Sequence, residues 1–597
     1  MFIWGKNELN EAQEKAIEEP GSVFLVACPG SGKTRTLTYK IARLLSELQS
    51  EKKRVVAITY TNRAADEIHE RIEQLGVDTS QLWIGTIHAF CLEWILKPYA
   101  VYHPALKNGF RVVNGHESEE ILEELCTQMR NPTITFRDCG YFFTTSKVRI
   151  NCHDDKKENV KAALRKYWYY LKANRKIDFE FILYYSFQLI RDNLPISTIL
   201  GSIFSSILVD EFQDTRETQY SILAAILKAA KGQAIAFIVG DPNQAIYGSI
   251  GGYAISAEEF GRQCNLSFRE MNLSDNYRSS SRIVDYFGNY NVLSAKCVAV
   301  GKVTRFPSVI TYDTETHRDE LEAELIRLIR YNVEETNIPP HEVCIVAPWW
   351  IHLAGMTRRL AVALPNYSFN GPGMVPFARD IDNFCYKLAR IVLTQATPSL
   401  FVRRMRWAGE VIAALSEADV NVGDLDRKTL LRECNSIEID ETDGLTYLRM
   451  FFEEVLLKLG VDWRNNTNIR VHHDSFFESS QRRIARIVEE GSEAIAETAA
   501  FRRVFAEKSG ITISTIHGVK GAEYDAVIAY GLLEGLVPFY SDRDKAAMAR
   551  KLLYVVASRA RKNLHLISER GRTKRWGDAY LPTEVLSACS FAYDATA

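Results

Sequence analysis

Ala27-Cys28-Pro29-Gly30-Ser31-Gly32-Lys33-Thr34 is the stretch that decides how this chain is read. The apolar run Val23-Phe24-Leu25-Val26 enters it with the character of a buried strand. Residues 35–47 leave it with a helical pattern that puts Leu37, Ile41, Leu44 and Leu45 on one face. Strand, glycine-bearing turn and helix form the setting of a Walker A phosphate loop. Gly30 and Gly32 let successive backbone N–H groups turn toward phosphate oxygens, and the positive end of the helix dipole adds to that attraction. Lys33 is placed to reach the β- and γ-phosphates, and the Thr34 hydroxyl to hold Mg²⁺. Ala27, Cys28, Pro29, Ser31 and Arg35 complete the predicted cradle, although Ala27 stands where the strict pattern has its first glycine. The competing reading is an ordinary glycine turn with a surface lysine, and the flanking strand and helix weigh against it.

Four further strands end in polar clusters, where open α/β sheets bind their ligands. Ile207-Leu208-Val209 delivers Asp210 and Glu211, the Walker B pattern. Asp210 is placed to hold Mg²⁺ and Glu211 to orient and deprotonate a water. Phe237-Ile238-Val239-Gly240 delivers Asp241 and Gln244 in the same way. The run 55–59 leads through Thr59 into Tyr60 and Asn62, and 82–87 leads into His88. A lone histidine is more often structural, but two such strand ends in succession favour a ligand. Upstream, Gln13 carries an amide able to pair with an adenine edge, though by itself it is an ordinary helix residue. Asn276-Tyr277-Arg278-Ser279 offers a ring for a base and a guanidinium for a phosphate.

Composition bounds the rest. The 597 residues carry 73 Lys plus Arg against 75 Asp plus Glu, so nucleic-acid binding has to come from local patches. The 11 cysteines include no C-x-x-C pair, which argues against a zinc ribbon or disulfide scaffold and fits a reducing cytoplasm. The sequence shows no signal peptide and no apolar run long enough to span a bilayer, so no membrane partner is expected. Residues 98–195 read as a helical insertion containing a basic, aromatic stretch at 156–176 around Tyr167-Trp168-Tyr169-Tyr170. That stretch is either an amphipathic helix with a solvated face or a phosphate-tracking surface.

Taken together, Gln13, the phosphate loop, Thr59-Tyr60-Thr61-Asn62, Gly85-Thr86-Ile87-His88, Asp210-Glu211-Phe212-Gln213-Asp214, Gly240-Asp241-Pro242-Asn243-Gln244-Ala245-Ile246-Tyr247-Gly248 and Asn276-Tyr277-Arg278-Ser279 resemble, in order, the motifs of the UvrD/Rep/PcrA helicases of superfamily 1. The resemblance resumes at Thr515-Ile516-His517-Gly518-Val519-Lys520-Gly521-Ala522-Glu523 and at Ala557-Ser558-Arg559-Ala560. It implies an α/β fold of two RecA-like domains with parallel sheets, each carrying a mostly helical insertion. On this chain the first domain is expected at 1–97 and 196–275, with its insertion at 98–195. The second is expected at 276–370 and 501–597, with its insertion at 371–500 opening at Gly371-Pro372-Gly373. Phe377 and Arg379 there resemble the family's entry motif.

The resemblance further implies an ATP-dependent, 3′→5′ single-strand DNA translocase and helicase with its nucleotide in the cleft between the two domains. Gln13 would read adenine, Tyr277 would stack on it and Glu523 would meet the ribose. Lys33, Thr34, Asp210 and Glu211 would carry the phosphate chemistry with Mg²⁺, Gln244 would sense the γ-phosphate, and Arg278 and Arg559 would act as arginine fingers. Thr59, Tyr60, Asn62, His88, Tyr247, Thr515 and His517 resemble positions lining the single-strand channel. One departure bears on unwinding: Ser249-Ile250 replaces the family's tryptophan and arginine after Tyr247-Gly248. The alternative is therefore a DNA-sensing ATPase with weak or no unwinding. The layout also looks like that of the helicase subunits paired with OLD-family TOPRIM nucleases in Gabija-type anti-phage defence, so such a nuclease is an expected partner beside single-stranded and duplex DNA.

Overall fold

The apolar runs around the phosphate loop become the middle of a parallel sheet. The computed structural model describes residues 2–595 apart from 3, 114, 249–250, 294–295, 373, 378–379, 381–382, 490–492, 507–509, 541, 543 and 575–576. Ser249, Ile250, Gly373 and Arg379, singled out above, lie outside the described residues. The chain forms two compact units, residues 1–284 with 290–304 and residues 285–289 with 305–597.

In the first unit, β1 (Ser22–Ala27), β2 (Arg54–Thr59), β3 (Leu82–Thr86), β4 (Phe204–Val209), β5 (Ile235–Gly240) and β6 (Phe268–Leu273) lie in the order β6-β1-β5-β4-β2-β3. Every pairing is parallel. A parallel sheet is covered on both faces, which is why its strands are continuously apolar. On one face, Val23, Leu25 and Ala27 pack with Leu37 and Ile41 of α2 (Lys33–Glu47) and with Ile68 and Ile72 of α3 (Asn62–Gln74). On the other face, Phe24 packs against Phe212 and Phe268. The parallel arrangement brings the carboxyl ends of β1 to β5 to one edge, so the residues that follow Ala27, Thr59, Thr86, Val209 and Gly240 share it.

Between β3 and β4 the chain builds a helical cluster that includes α4 (Lys157–Ala173) and α5 (Phe179–Asp192). It also contains an antiparallel hairpin, Tyr141–Phe143 with Val148–Ile150, whose three-residue strands are too short for a sequence period to reveal. The basic, aromatic stretch packs through one face and leaves Arg165, Lys166, Lys172 and Arg175 exposed on the other. Tyr167 is buried and donates to Asp178 at 3.1 Å, Lys161 pairs with Glu158, and Lys176 pairs with Glu117. Tyr169, at 75% exposure, and Tyr170 stay open to solvent. α6 (Glu217–Ala229) follows β4.

The second unit holds another six-stranded parallel sheet, with a different strand order. β7 (Ile310–Asp313), β8 (Val343–Ala347), β9 (Phe369–Asn370), β10 (Ile511–Thr515), β11 (Tyr524–Ala529) and β12 (Ala560–Ile567) are ordered β7-β12-β11-β8-β10-β9, all parallel. Helices at Phe384–Val392, Phe401–Glu417, Arg427–Asn435, Gly444–Lys458 and Thr467–Glu489 pack around a separate aromatic core. Phe377 is fully buried in that core, stacked on Phe505 at 5.9 Å, and serves there as a packing residue.

Candidate active site

The phosphate loop is shaped by its glycines and braced by its neighbours. Gly30 and Gly32 have φ of +69° and +82°, a left-handed conformation that side chains rarely adopt. Space is also short: a Cβ on Gly30 would lie 2.5 Å from the Arg278 Cβ, and one on Gly32 would lie 2.5 Å from Gln13 Nε2. Gln13 is part of a capping box on α1 (Glu11–Glu18). Its Oε1 accepts from Asn10 N at 3.0 Å, and its own N–H donates to Asn10 Oδ1 at 2.8 Å. Its Nε2 donates to Ser31 O at 2.9 Å, so the residue read as an adenine contact also pins the loop. From the other side, the buried Asn276 donates through Nδ2 to Pro29 O at 2.7 Å, and Tyr277 N donates to Gly30 O at 2.9 Å. Asn10 Nδ2 reaches Tyr277 Oη at 2.9 Å, so Gln13 and the half-exposed Tyr277 ring flank the same side of the loop. Cys28 is buried, and its thiol is held protonated by a hydrogen bond with Cys297 and by burial. Thr34 and the exposed Arg35 lie in the first turn of α2.

Beside the loop sit acids that burial leaves short of counter-charge. Lys33 Nζ donates to Ala27 O at 3.4 Å, and its charge reaches both Asp210 and Asp241. Burial, reinforced by the neighbouring Glu211, pushes the Asp210 carboxyl up to about 8. Burial likewise raises Asp241, against the pull of Lys33 and of Gln244, whose Nε2 donates to it at 2.7 Å. Glu211 occupies the left-handed region at φ +53°, which for a glutamate is strained and turns it out of line with Asp210. Gln213 ties the two strand ends together: its Nε2 donates to Glu211 Oε2, and its Oε1 accepts from Asp241 N at 3.0 Å. Gly240 has to be glycine, because a Cβ there would lie 2.2 Å from Gln213 Oε1.

At the same sheet edge, Tyr60 and Tyr247 stack at 5.1 Å with an interplanar angle of 24°, and Tyr60 remains 42% exposed. Thr59 Oγ1 donates to Thr61 O at 2.9 Å, Thr61 caps α3, and Asn62 is exposed at its first position. His88 packs edge-on to Phe179 at 5.7 Å. Burial and the nearby Arg216 push it down to about 4, so it is neutral at physiological pH.

In the second unit, Thr515 ends β10 and accepts from Gly518 N through Oγ1 at 3.0 Å, leaving His517 exposed on the turn. Glu523 pairs with Arg561 at 3.5 Å, and Arg561 also binds Asp525 and Glu342. Arg559, at 2% exposure, donates to Val555 O at 3.2 Å, Ala522 O at 3.3 Å and Ser558 Oγ at 3.0 Å. Arg278 belongs with the first unit, its backbone N donating to Asn276 Oδ1 at 2.9 Å.

Residues 9–254 match the model of the UvrD/REP helicase N-terminal domain, and residues 474–571 match the UvrD-like helicase C-terminal domain. The chain belongs to the UvrD/Rep/PcrA-like helicases of superfamily 1. Among its relatives, ATP-dependent DNA helicase PcrA of Leuconostoc citreum is 23% identical over 94% of this chain and 82% of its own length. ATP-dependent DNA helicase SRS2 of Saccharomyces cerevisiae is 28% identical over 47% of this chain and 26% of its own length. For PcrA of Staphylococcus aureus Mu50 the identity is 26%, over 54% and 46%. The chain thus spans about a quarter of the yeast relative and under half of the staphylococcal one.

In this UvrD-like chain, sequence reasoning gave no role to three residues, two that brace the site and a third, Arg216, that lies outside it. Asn276 braces the loop while its Oδ1 accepts from Arg278 N and Ser279 N, an Asx turn that Asn-x-Arg-Ser spacing could have flagged. Gln213 left only its place two residues beyond Glu211 as a signal. Arg216 left none, because its partner lies in the insertion.

Proposed function

We propose that the chain is an ATP-driven motor that moves along single-stranded DNA and unwinds duplex. One observation carries this reading: a braced phosphate loop, its lysine and two under-neutralised buried acids share a sheet edge with a stacked tyrosine pair whose Tyr60 is exposed, in a chain of the UvrD-like family. The acids and the loop then perform ATP hydrolysis, and the aromatic edge takes the strand.

In this reading Lys33 and the loop N–H groups bind the phosphates, Tyr277 stacks on the adenine and Gln13 reads its edge. Glu211, turned toward the site by its left-handed backbone, takes the proton of the attacking water, and Gln244 reports on the γ-phosphate. Arg278 and Arg559 supply cations to the charge that develops in the transition state. The carbonyls of Val555 and Ala522 accept from the Arg559 guanidinium and orient it. The donor set suits a hard divalent cation such as Mg²⁺: a Thr34 hydroxyl and a buried Asp210 carboxylate whose raised pKa marks a missing positive charge. Bound with the nucleotide, that cation neutralises phosphate charge. Glu523 meets the ribose, and Thr59, Tyr60, Asn62, His88, Tyr247, Thr515 and His517 line the strand path. Movement is 3′→5′.

A second reading, a DNA-sensing ATPase without productive unwinding, rests on Ser249-Ile250 replacing an aromatic and an arginine. In that setting the chain would serve a nuclease partner of the OLD-family TOPRIM class in anti-phage defence. ATP hydrolysis measured with and without single-stranded DNA, followed by strand displacement on 3′- and 5′-tailed duplexes, separates these readings. The motor is refuted by hydrolysis that ignores DNA. The sensing reading gains if hydrolysis is stimulated but no strand is displaced.

A further inference from the structure

Two residues beyond Asp214, Arg216 joins three parts of the first unit. Its Nη1 donates to both carboxylate oxygens of Glu180 on α5, at 2.7 and 2.9 Å, and the two side chains are only 19% and 18% exposed. Its guanidinium carbon sits 5.5 Å from the centre of the Phe142 ring, at the hairpin. Its backbone bridges to Gly252, while Thr215 O accepts from Tyr253 N at 3.0 Å.

The hairpin is fastened to the same place. Thr218 Oγ1 donates to Phe143 O at 2.9 Å, and Thr145 Oγ1 donates to Glu217 Oε1 at 2.8 Å. Gly251, at φ +96°, lies under the Phe142 ring so closely that a Cβ would fall 2.9 Å from it. Phe142 therefore covers the backbone just after the Tyr247-Gly248 turn. Phe179, adjacent to Glu180, packs on His88, and the charge of Arg216 is felt at both His88 and Tyr60.

We infer that the Arg216–Glu180 ion pair is a positioning device through which single-stranded DNA controls the rate of ATP hydrolysis. It links the chain that carries Asp210, Glu211 and Asp214 to the helix that seats His88 and to the hairpin that covers Gly251. A strand pressing on Tyr60, Tyr247 and His88 displaces α5 and the hairpin, and Arg216 passes that displacement to the acids along six residues of backbone. Both side chains are long and partly buried, so separating them leaves two poorly solvated charges and the link is stiff. The inference rests on the proposed function, because it presupposes a DNA-stimulated ATPase.

The test compares the wild-type chain with Arg216→Ala, with Glu180→Gln and with the reversed pair Arg216→Glu/Glu180→Arg, following ATP hydrolysis over a titration of oligo(dT). Hydrolysis without DNA is expected to stay within about twofold of wild type in every variant. Maximal stimulation is expected to fall roughly tenfold or more in both single variants, the scale of coupling within one ion-pair network. The reversed pair should recover part of it. Stimulation unchanged in the single variants overturns the inference, and so does a parallel fall of basal and stimulated rates, which would mark a purely structural pair. Should Arg216→Ala fail to fold, Glu180→Gln preserves shape and carries the same comparison. A wild-type chain that hydrolyses ATP without responding to oligo(dT) refutes the proposed motor itself, a result distinct from a stimulated wild type with unaffected variants.

Discussion

The two sheets have the same make-up, six parallel strands each, but treat buried charge in opposite ways. At the strand ends of the first, Asp210 and Asp241 are buried with Lys33 as the nearby cation, and both carboxyls are raised. In the second, Arg561 meets Asp525, Glu342 and Glu523 within the unit, and the buried Arg559 donates to carbonyls and a hydroxyl of that unit. One sheet is built with a deficit that a ligand can fill. The other closes its acids onto Arg561 within the unit. Both sheets are six-stranded and all parallel although their strands are ordered differently, and the contrast in charge lies in the loops at the strand ends.

The comparison is most severely tested at the open site. Lys33→Ala and Glu211→Gln should each abolish steady-state ATP turnover, by about a thousandfold or more. They should differ in binding: a fluorescent ATP analogue should bind Lys33→Ala weakly and Glu211→Gln near normally. Substantial turnover in either would mean the deficit serves another ligand.

Arg559→Ala should spare nucleotide binding and lower turnover by about a thousandfold, the scale of a lost arginine finger. A small loss of rate with a lowered melting temperature would show that its carbonyl contacts are its whole purpose.

Removing the hub of the closed unit should cost stability. Arg561→Met leaves Asp525 and Glu342 partly buried without their main partner, and about 3 kcal/mol is expected in denaturant unfolding. The transition of the second unit should shift while that of the first stays.

His565 and Asp210 should act on stability with opposite signs of pH dependence, His88 of the first unit acting in the same sense as His565. His565 is fully buried, accepts from Asn332 Nδ2 at 3.0 Å, and is pushed by burial down to about 3. Between pH 6.5 and 3 the unfolded chain binds more protons there, so the second unit loses stability as pH falls through that window. Asp210 is shifted the other way, to about 8, so between pH 4 and 8 the folded chain binds more protons and the first unit loses stability as pH rises. Asp210→Asn should therefore stabilise the nucleotide-free protein at pH 8, by on the order of 2 kcal/mol, while abolishing turnover. Thermal unfolding of both proteins at pH 5 and pH 8 checks this.

The smallest effect is expected at the aromatic edge. Tyr60→Ala should weaken oligo(dT) binding by about 1–3 kcal/mol, the contribution of one stacked base. Unaltered binding would place the strand elsewhere.

Much of the first sheet was legible because its strands are buried on both faces and read as apolar runs ending in polar clusters. Leu37, Ile41 and Leu45 are buried as their spacing predicted, while Leu44 is only partly so. The hairpin at 141–150 escaped notice because three-residue strands leave no period. The stretch around Tyr167 is an amphipathic helix that buries Val160, Leu164, Tyr167 and Leu171 and leaves Arg165, Lys166 and Lys172 exposed, a division that charge and aromatic content alone do not reveal. The bonds made by Gln213, Asn276 and Arg216 join segments far apart in sequence, and a linear pattern carries no record of them.

One consequence follows from Gln13. The same amide caps a helix, fastens Ser31 and faces the side of the loop where Tyr277 lies. Under the proposed function, base preference and loop shape are written in one residue, and selection cannot retune the first without loosening the second. A lineage or a laboratory library seeking a different nucleotide would have to change Asn10, Gln13 and the crowding over Gly32 in concert. Single-step routes to altered fuel use are closed by the architecture of the turn itself.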